Sequence, residues 1–195
     1  MTEHSYVEAR RFLDTAIAEF QRGVDAISEA DWQRPTPCDG WTVRDLVAHL
    51  IGGCRMSELL LSGATSDEAM TALFALQIDG DPKQRFAEGA LAQAAAFDEP
   101  GAPERTCHHP MRDMPGSEFI WLRVRDTAVH AWDLATALGI DATLDPEMVE
   151  LMWTQVEPAA PFLAASGMFG SGASGNLPPE ATTQQRLLDT LGRRA

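Results

Sequence analysis

The sequence predicts an all-α protein, a four-helix bundle with additional short helices packed outside it. Three observations predict this class: apolar residues recur at helical spacing, capping and turn residues separate the apolar segments, and no stretch alternates convincingly enough to be a strand. With 195 residues, 45% of them hydrophobic, the chain is long enough to bury a core. We expect a single helical domain over residues 1–195, in which residues 171–195 form a tail with a short C-terminal helix.

Proline, glycine and capping residues delimit the first three helices. The first is predicted over residues 6–27, and "QRPTPCDGW" ends it with two prolines and a glycine. The second starts at Thr42, where Thr-x-x-Asp forms an N-cap with an acidic first turn, and continues through "LVAHLIGGCRMSELLLSG". Trp41, directly before that cap, is placed as a hydrophobic staple. A short third helix follows Ser66.

The later helices carry similar signals. Asp81 and Pro82 start the fourth helix, "DPKQRFAEGALAQAAAF", as its N-cap and first helical residue. We expect "DEPGAPERTCHHPMRDMPG" to be a loop. The fifth helix is predicted from about residue 117 to residue 138, and Gly139 is placed to terminate it. Another Asp-Pro start opens "DPEMVELMWTQVEP", and the glycine-rich "SGMFGSGASGNLPP" leads to a last helix in "TTQQRLLDTL".

The charge and composition of the chain exclude several classes of partner. Its formal net charge is −14, from 29 acidic and 15 basic residues, and no basic patch appears. We therefore expect neither nucleic acid nor an anionic membrane as a partner. No apolar run is long enough to span a bilayer, and the N-terminus has no apolar signal core, so we expect a cytoplasmic protein. Three widely spaced cysteines without a CxxC pair fit a reducing compartment.

Residues 125–139, "RDTAVHAWDLATALG", place three polar side chains in a row on the predicted fifth helix. Asp126, His130 and Asp133 are separated by four and three positions, so they share one face of the helix. His49 lies beside the apolar stripe of the second helix. A single histidine beside such a stripe is usually a hydrogen-bonded structural residue. Two such histidines, with a carboxylate one turn before the second, favour a metal site over a solvated row.

Ligand chemistry supports this interpretation. Imidazole nitrogen suits zinc, nickel and ferrous iron, and a carboxylate contributes negative charge. Asp126 and His130 can hold one ion from the same helix, and His49 can supply a third ligand if the second and fifth helices are neighbours. Two histidines and one carboxylate leave positions open for water or substrate, as in catalytic sites. Asp133 is predicted to be an outer partner of a ligand or a capping residue, with direct ligation in place of Asp126 as the alternative.

The expected loop contains a second group of candidates, Cys107, His108 and His109. These residues have three open interpretations, namely a separate metal site, the lining of a pocket, or a plain loop. His108 and His109 are also candidate catalytic residues, because either could move a proton. Candidates for binding the carboxylate of a substrate or cofactor, each with plain solvent exposure as the alternative, are Arg112, Arg123 and Arg125.

Two of the quoted segments resemble a known family. "PTPCDGWTVRDLVAHLIGG" followed by "RDTAVHAWDLATALG" is similar to the DinB-like superfamily, specifically to the mycothiol-dependent maleylpyruvate isomerase N-terminal metal-binding domain. The shared pattern is a Pro-Cys-x-Gly-Trp-Thr-Val entry at residues 37–43, a helix ending in Ala-His at His49, and a distant Asp-x-x-x-His-x-Trp-Asp-Leu at residues 126–134. The resemblance extends through "LDPEMVE" to the final "LLDTLGRR".

The resemblance implies a four-helix bundle that holds a divalent metal on His49, Asp126 and His130. Zinc is the expected ion, and nickel and iron are the alternatives that the ligands allow. The family usually has glutamate where this chain has Asp126, so the carboxylate here is one methylene shorter. This difference tolerates metal binding but leaves the identity and the affinity of the ion open.

The resemblance also implies a class of chemistry. We expect the chain to lack the C-terminal domain of the isomerase, so the implied class is broader than that isomerase. It comprises metal-dependent enzymes that activate a low-molecular-weight thiol and transfer it to an electrophilic substrate, or use it in isomerisation. The alternatives are a non-catalytic metal-binding or stress-associated protein, a metal-dependent hydrolase using bound water, and a metal-free helical scaffold. The oligomeric state stays open, with a homodimer as one option.

Overall fold

The protein is described by a computed structural model that covers residues 5–166 and 172–194. Residues 167–171 of the predicted glycine-rich segment therefore lie outside the described residues. The elements, in chain order, are α1 (Tyr6–Ala26), α2 (Val43–Leu61), α3 (Ser66–Phe74), α4 (Pro82–Asp98), β1 (Thr106–His109), β2 (Arg112–Pro115), α5 (Gly116–Leu138), α6 (Pro146–Val156), α7 (Ala160–Ser166) and α8 (Thr183–Thr190), with a short 3₁₀ turn at Glu157–Ala159.

Four long helices form the predicted bundle. Helix α1 packs against α5 and α4, and α2 packs against α4 and α5, so each helix has two neighbours around a common core. This arrangement confirms the all-α, four-helix class. The largest side chains that are fully buried in this core come from all four helices and include Phe12, Phe20, Leu46, Leu50, Phe86, Phe97, Phe119 and Ile120.

Local capping signals determine where these helices begin and end. The Thr42 hydroxyl accepts a hydrogen bond from the backbone N–H of Asp45, and the Asp45 carboxylate accepts one from the backbone N–H of Thr42, as the predicted capping box requires. The Asp81 side chain caps α4, whose first residue is Pro82. Gly139 follows α5 with a φ of 71°, a left-handed conformation that glycine adopts without steric cost.

The segment predicted to be an unbroken loop contains a small antiparallel hairpin. Strands β1 and β2 pair Cys107 with Met114 and His108 with Asp113. The expectation that the chain contains no strand is therefore wrong for residues 106–115. Only Cys107 and Met114 are buried in this hairpin, so the period-2 pattern extends over one inward position per strand and is too short to detect in the sequence.

The end of the chain returns to the bundle. Helix α8 packs against α6 and buries Leu187 and Leu188. After α8 the backbone turns, and Arg193 reaches the carboxylate of Asp133 on α5. Within the described parts of the chain, none of the helices combines the length and the apolar character that a membrane crossing needs.

Candidate metal centre

The neighbouring helices α2 and α5 bring the three predicted ligands together. The Nε2 atom of His49 lies 3.3 Å from Oδ1 of Asp126, and Nε2 of His130 lies 3.5 Å from the same oxygen. One donor atom from each of these residues lies within 4.8 Å of the other two. His49 can be a third ligand only if the second and fifth helices are neighbours, and these helices are in contact.

The spacing of these donor atoms suits a small divalent ion. Zinc bonds to nitrogen and carboxylate oxygen of about 2.0–2.2 Å, at tetrahedral angles, place neighbouring ligand atoms about 3.3–3.5 Å apart. The two distances to Asp126 Oδ1 agree with this requirement. A two-nitrogen, one-oxygen donor set also fits zinc and other borderline divalent metals.

The cluster is open to solvent on the side of α2. The His49 side chain is 39% exposed, whereas the His130 side chain is 10% exposed. The Trp41 ring covers both imidazoles, with its centroid 5.0 Å from that of His49 and 5.9 Å from that of His130, nearly parallel to the latter. Trp41 therefore forms an aromatic wall of the site, in addition to its predicted position before the cap of α2.

The second oxygen of Asp126 is held by Arg123. Arg123 Nη1 donates to Asp126 Oδ2 at 2.8 Å, and its Nε donates to Gln93 Oε1 at 2.8 Å. The Ser57 hydroxyl donates to the same oxygen of Gln93, also at 2.8 Å. Burial raises the pKa of Asp126, but the Arg123 charge and the adjacent histidines outweigh burial and leave this pKa below its ordinary value. Asp126 is thus a carboxylate with Oδ1 directed to the histidines.

The other nitrogen of His130 faces a second buried carboxylate. Nδ1 of His130 lies 2.9 Å from Oδ2 of Asp133, whose side chain is fully buried. Hydrogen bonds from His130 and Arg193 lower the pKa of Asp133 below its ordinary value, although burial alone would raise it. Since an ionised carboxylate only accepts, Nδ1 of His130 donates to Asp133, and Nε2 is the nitrogen that faces the cluster. This carboxylate–histidine pairing is typical of the surroundings of metal sites.

A second group of potential donors shares His130 but already contains a cation. Cys38, His130 and Asp133 also have donor atoms within 4.8 Å of one another. Arg193 binds both oxygens of Asp133, and its Nη2 lies 3.5 Å from Cys38 Sγ. Burial and the adjacent Asp133 raise the pKa of the Cys38 thiol to about 12, so this sulfur is protonated at neutral pH. We therefore assign the candidate metal centre to the other group.

The hairpin directs the three candidate site residues of the expected loop, Cys107, His108 and His109, to different surroundings. Cys107 points into the core, where burial raises the pKa of its thiol to about 11. Nδ1 of His108 pairs at the surface with Oδ1 of Asp113 at 2.9 Å, whereas Nδ1 of His109 accepts from the backbone N–H of Met111. Because successive strand residues face opposite sides, Cys107 and His108 diverge. In the described ranges these residues form no cluster of metal donors, which contradicts the interpretation as a separate metal site.

Of the three arginine candidates, Arg123 alone contacts the donor cluster. Arg112 pairs with Glu118 at the start of α5, and Arg125 donates to Gln155 at 3.1 Å. The sequence contained a signal for the Arg123–Asp126 pair, because residues three positions apart on a helix are neighbours. It contained no local signal for the distant partners of the site, which are Cys38, Ser57, Gln93 and Arg193.

The fold and the cluster define a class of protein, a four-helix bundle with a His-Asp-His donor group between two neighbouring helices. The family model described as the mycothiol maleylpyruvate isomerase N-terminal domain matches residues 13–135. The chain belongs to this family. The match includes the whole donor cluster and Asp133 but ends before Arg193.

Similar proteins occur in Mycobacterium tuberculosis. Two proteins of Mycobacterium tuberculosis, from strains CDC 1551 / Oshkosh and ATCC 25618 / H37Rv and both named as uncharacterized, are each 39% identical to the chain over 114 residues. The match covers 58% of this chain and 58% of each relative, so the chain spans little more than half the length of these relatives.

Two crystal structures of a mycothiol-dependent maleylpyruvate isomerase have a similar fold. A histidine-to-alanine mutant superposes with a TM-score of 0.64 at 18% identity, and a second structure of the isomerase superposes with a TM-score of 0.61 at 17% identity. Both comparisons cover 78% of this chain and 70% of the isomerase. At this level of identity the likeness establishes the fold alone.

Proposed function

We propose that the protein binds a divalent metal ion, preferentially zinc, through His49 Nε2, Asp126 Oδ1 and His130 Nε2. We further propose that it acts with a low-molecular-weight thiol of the mycothiol type on an electrophilic substrate, as an isomerase or S-transferase. One observation carries the metal proposal. The Nε2 atoms of His49 and His130, which come from two helices, both lie within 3.5 Å of Oδ1 of Asp126. Membership of the isomerase family supports the thiol.

The donor set favours a site that also binds a substrate. Three protein donors and an exposed side are typical of catalytic zinc, whereas structural zinc has four protein ligands. Asp133, the alternative ligand that the sequence suggested, faces the other nitrogen of His130. Among the described residues, Cys107 belongs to no group of potential metal donors. A bound divalent ion would supply a Lewis acid that deprotonates a coordinated thiol at neutral pH.

The residues of the chain have separate tasks in this proposal. Arg123 keeps Asp126 ionised and turns its Oδ1 toward the two histidines, and Asp133 orients His130. The exposed side at His49 admits the thiol along the Trp41 ring. For proton transfer we favour His109 over His108. His109 lies against Phe119, one turn before Arg123 on α5, whereas His108 is paired with Asp113 at the surface.

Metal analysis of the natively purified protein tests the ligand assignment. We expect about one divalent ion per chain in the wild type, and a large loss of bound metal in His49→Ala, Asp126→Ala and His130→Ala. His108→Ala is the matched control, because it removes an imidazole outside the cluster and should leave the metal content unchanged. Stoichiometric metal in all three ligand variants would show that the ion is bound elsewhere.

Cobalt substitution tests the thiol. In the cobalt-loaded protein, adding a small thiol should produce a sulfur-to-metal charge-transfer band that grows with thiol concentration. The His130→Ala variant should show no such band. A hydrolase that keeps its bound water, or a non-catalytic site closed by a further ligand, would show no thiol-dependent band in a verified cobalt form, and that result would reject the thiol proposal.

A further inference from the structure

Arg193, which lies outside the four-helix bundle near the end of the chain, contacts the back of the donor cluster through Asp133. Its Nε donates to Oδ1 at 3.1 Å and its Nη2 donates to Oδ2 at 2.7 Å. The Arg193 side chain is 13% exposed and Asp133 is fully buried. A two-point contact between a guanidinium and a carboxylate fixes the plane of the carboxylate as well as neutralising its charge.

We propose that Arg193 is a positioning residue for His130 and acts on it through Asp133. The inference rests on the proposed function, because it concerns the nitrogen that His130 offers to the ion. Oδ2 of Asp133 accepts a hydrogen bond from Nδ1 of His130, and this contact keeps Nε2 turned toward Asp126 and His49. The Cys38 thiol, at 3.2 Å, also donates to this oxygen, but a thiol is a weak donor.

The same guanidinium also prevents a competing placement of the ion. Cys38, His130 and Asp133 are close enough to hold a cation, and Arg193 supplies one from the chain itself, with Nη2 near both the carboxylate and the thiol sulfur. A metal ion on Nδ1 of His130 would have to displace this arginine from a buried ion pair. Arg193 therefore directs an ion to the Nε2 side, where His49 and Asp126 lie.

The hydrogen position on His130 in the metal-free protein tests the inference directly. Nitrogen NMR of ¹⁵N-histidine-labelled protein distinguishes a hydrogen on Nδ1 from one on Nε2. We expect a hydrogen on Nδ1 of His130 in the wild type and the loss of that hydrogen from part of the Arg193→Met population. Arg194→Met is the matched control, because Arg194 lies in the same tail but its guanidinium contacts Asp189, and it should keep the wild-type form.

Cobalt titration provides the second readout. We expect Arg193→Met to raise the cobalt Kd about tenfold or more, which is the effect typical of removing an outer partner of a metal ligand, and Arg194→Met to change it by less than about twofold. An unchanged hydrogen position or an unchanged Kd in a folded Arg193→Met variant would overturn the proposal. If that variant does not fold, Arg193→Lys keeps the charge without the two-point contact and should still weaken binding several-fold. Wild-type affinity in this lysine variant would overturn the proposal as well.

The two proposals fail in different ways. If His49→Ala binds cobalt as tightly as the wild type, the assignment of the three ligands is wrong. The NMR measurement needs no metal, so it tests the action of Arg193 on His130 whatever the outcome of the metal experiments. A normal response to His49→Ala together with no response to Arg193→Met would reject the positioning role alone.

Discussion

The guanidinium of Arg123 packs directly against the backbone of Gly53. A Cβ atom built on Gly53 would lie 2.5 Å from Nη1 of Arg123 and 2.6 Å from its Nη2, closer than such atoms approach one another. The absence of a side chain at this position of α2 thus makes room for the charge that holds Asp126. The glycine is part of the support of the donor cluster, although it bears no chemical group of its own.

Substituting Gly53 by alanine should therefore weaken metal binding without touching a ligand. The new methyl group would displace the Arg123 guanidinium from Asp126, and we expect the metal Kd to rise about 10- to 100-fold. Isothermal titration of the metal-free protein with zinc measures this change. Gly52→Ala is the control, because its Cβ would meet only Leu73 Cδ2 at 3.5 Å, an ordinary contact. The control should bind zinc like the wild type and gain about 0.5–1 kcal/mol in stability, because alanine favours a helix interior.

Replacing Asp133 by asparagine should destabilise the protein in a pH-dependent way. The substitution leaves Arg193 without its buried anion, and we expect the free energy of unfolding to fall by about 3 kcal/mol at pH 7. The pKa of Asp133 in the folded state lies below its ordinary value, so the carboxylate stabilises the fold above pH of about 4 and this stabilisation is lost as the pH falls further. Urea unfolding at pH 7 and below pH 4 should show the difference from the wild type shrinking on acidification.

Asp113→Asn is the control for this measurement. Asp113 also pairs with a histidine, His108, but both side chains are exposed at the surface. Its substitution should change the free energy of unfolding by less than about 0.5 kcal/mol. A deficit for Asp133→Asn that stays constant between neutral and acidic pH would contradict the role assigned to its charge.

The aromatic wall of the site should contribute to metal affinity through packing. Trp41→Ala uncovers both imidazole rings, and since aromatic pairs contribute about 0.5–1.5 kcal/mol, we expect the metal Kd to rise about 2- to 13-fold. Trp41→Phe keeps a ring over His49 and His130 and should retain most of the affinity. Competition with a chromophoric chelator compares the three proteins, and equal losses in the two variants would argue against a contribution from stacking.

Removing the metal should lower the stability of the fold. A ligand that binds the folded state alone stabilises it by about 2.7 kcal/mol when its free concentration is 100 times its Kd. Thermal unfolding with added zinc and with a chelator should therefore differ clearly in the wild type. In His130→Ala the two curves should coincide, since one of the three proposed ligands is missing. A shift of the same size in this variant would place the stabilising ion outside the cluster.

Local signals account for what could be predicted from the sequence. Capping at Thr42 and Asp81 depends on residues a few positions away, so the helix starts were predictable. The Asp126–His130 pair follows from helical spacing. The hairpin was not predictable, because one buried residue per strand is too weak a pattern. Arg193 was not predictable either, because its partner lies 60 positions earlier and is reached only through the packing of the tail.

The three proposed ligands are divided unevenly between two helices. Asp126 and His130 lie on α5, together with Arg123 and Asp133, whereas His49 comes from α2. An α-helix is stiff over three turns, so the α5 residues keep their mutual geometry as long as that helix exists. The third ligand therefore joins the other two only when α2 lies close to α5 at His49. If the proposed site holds an ion, separation of α2 from α5 would leave only two ligands and release that ion. Metal release would thus report the parting of α2 from α5 before the rest of the bundle melts.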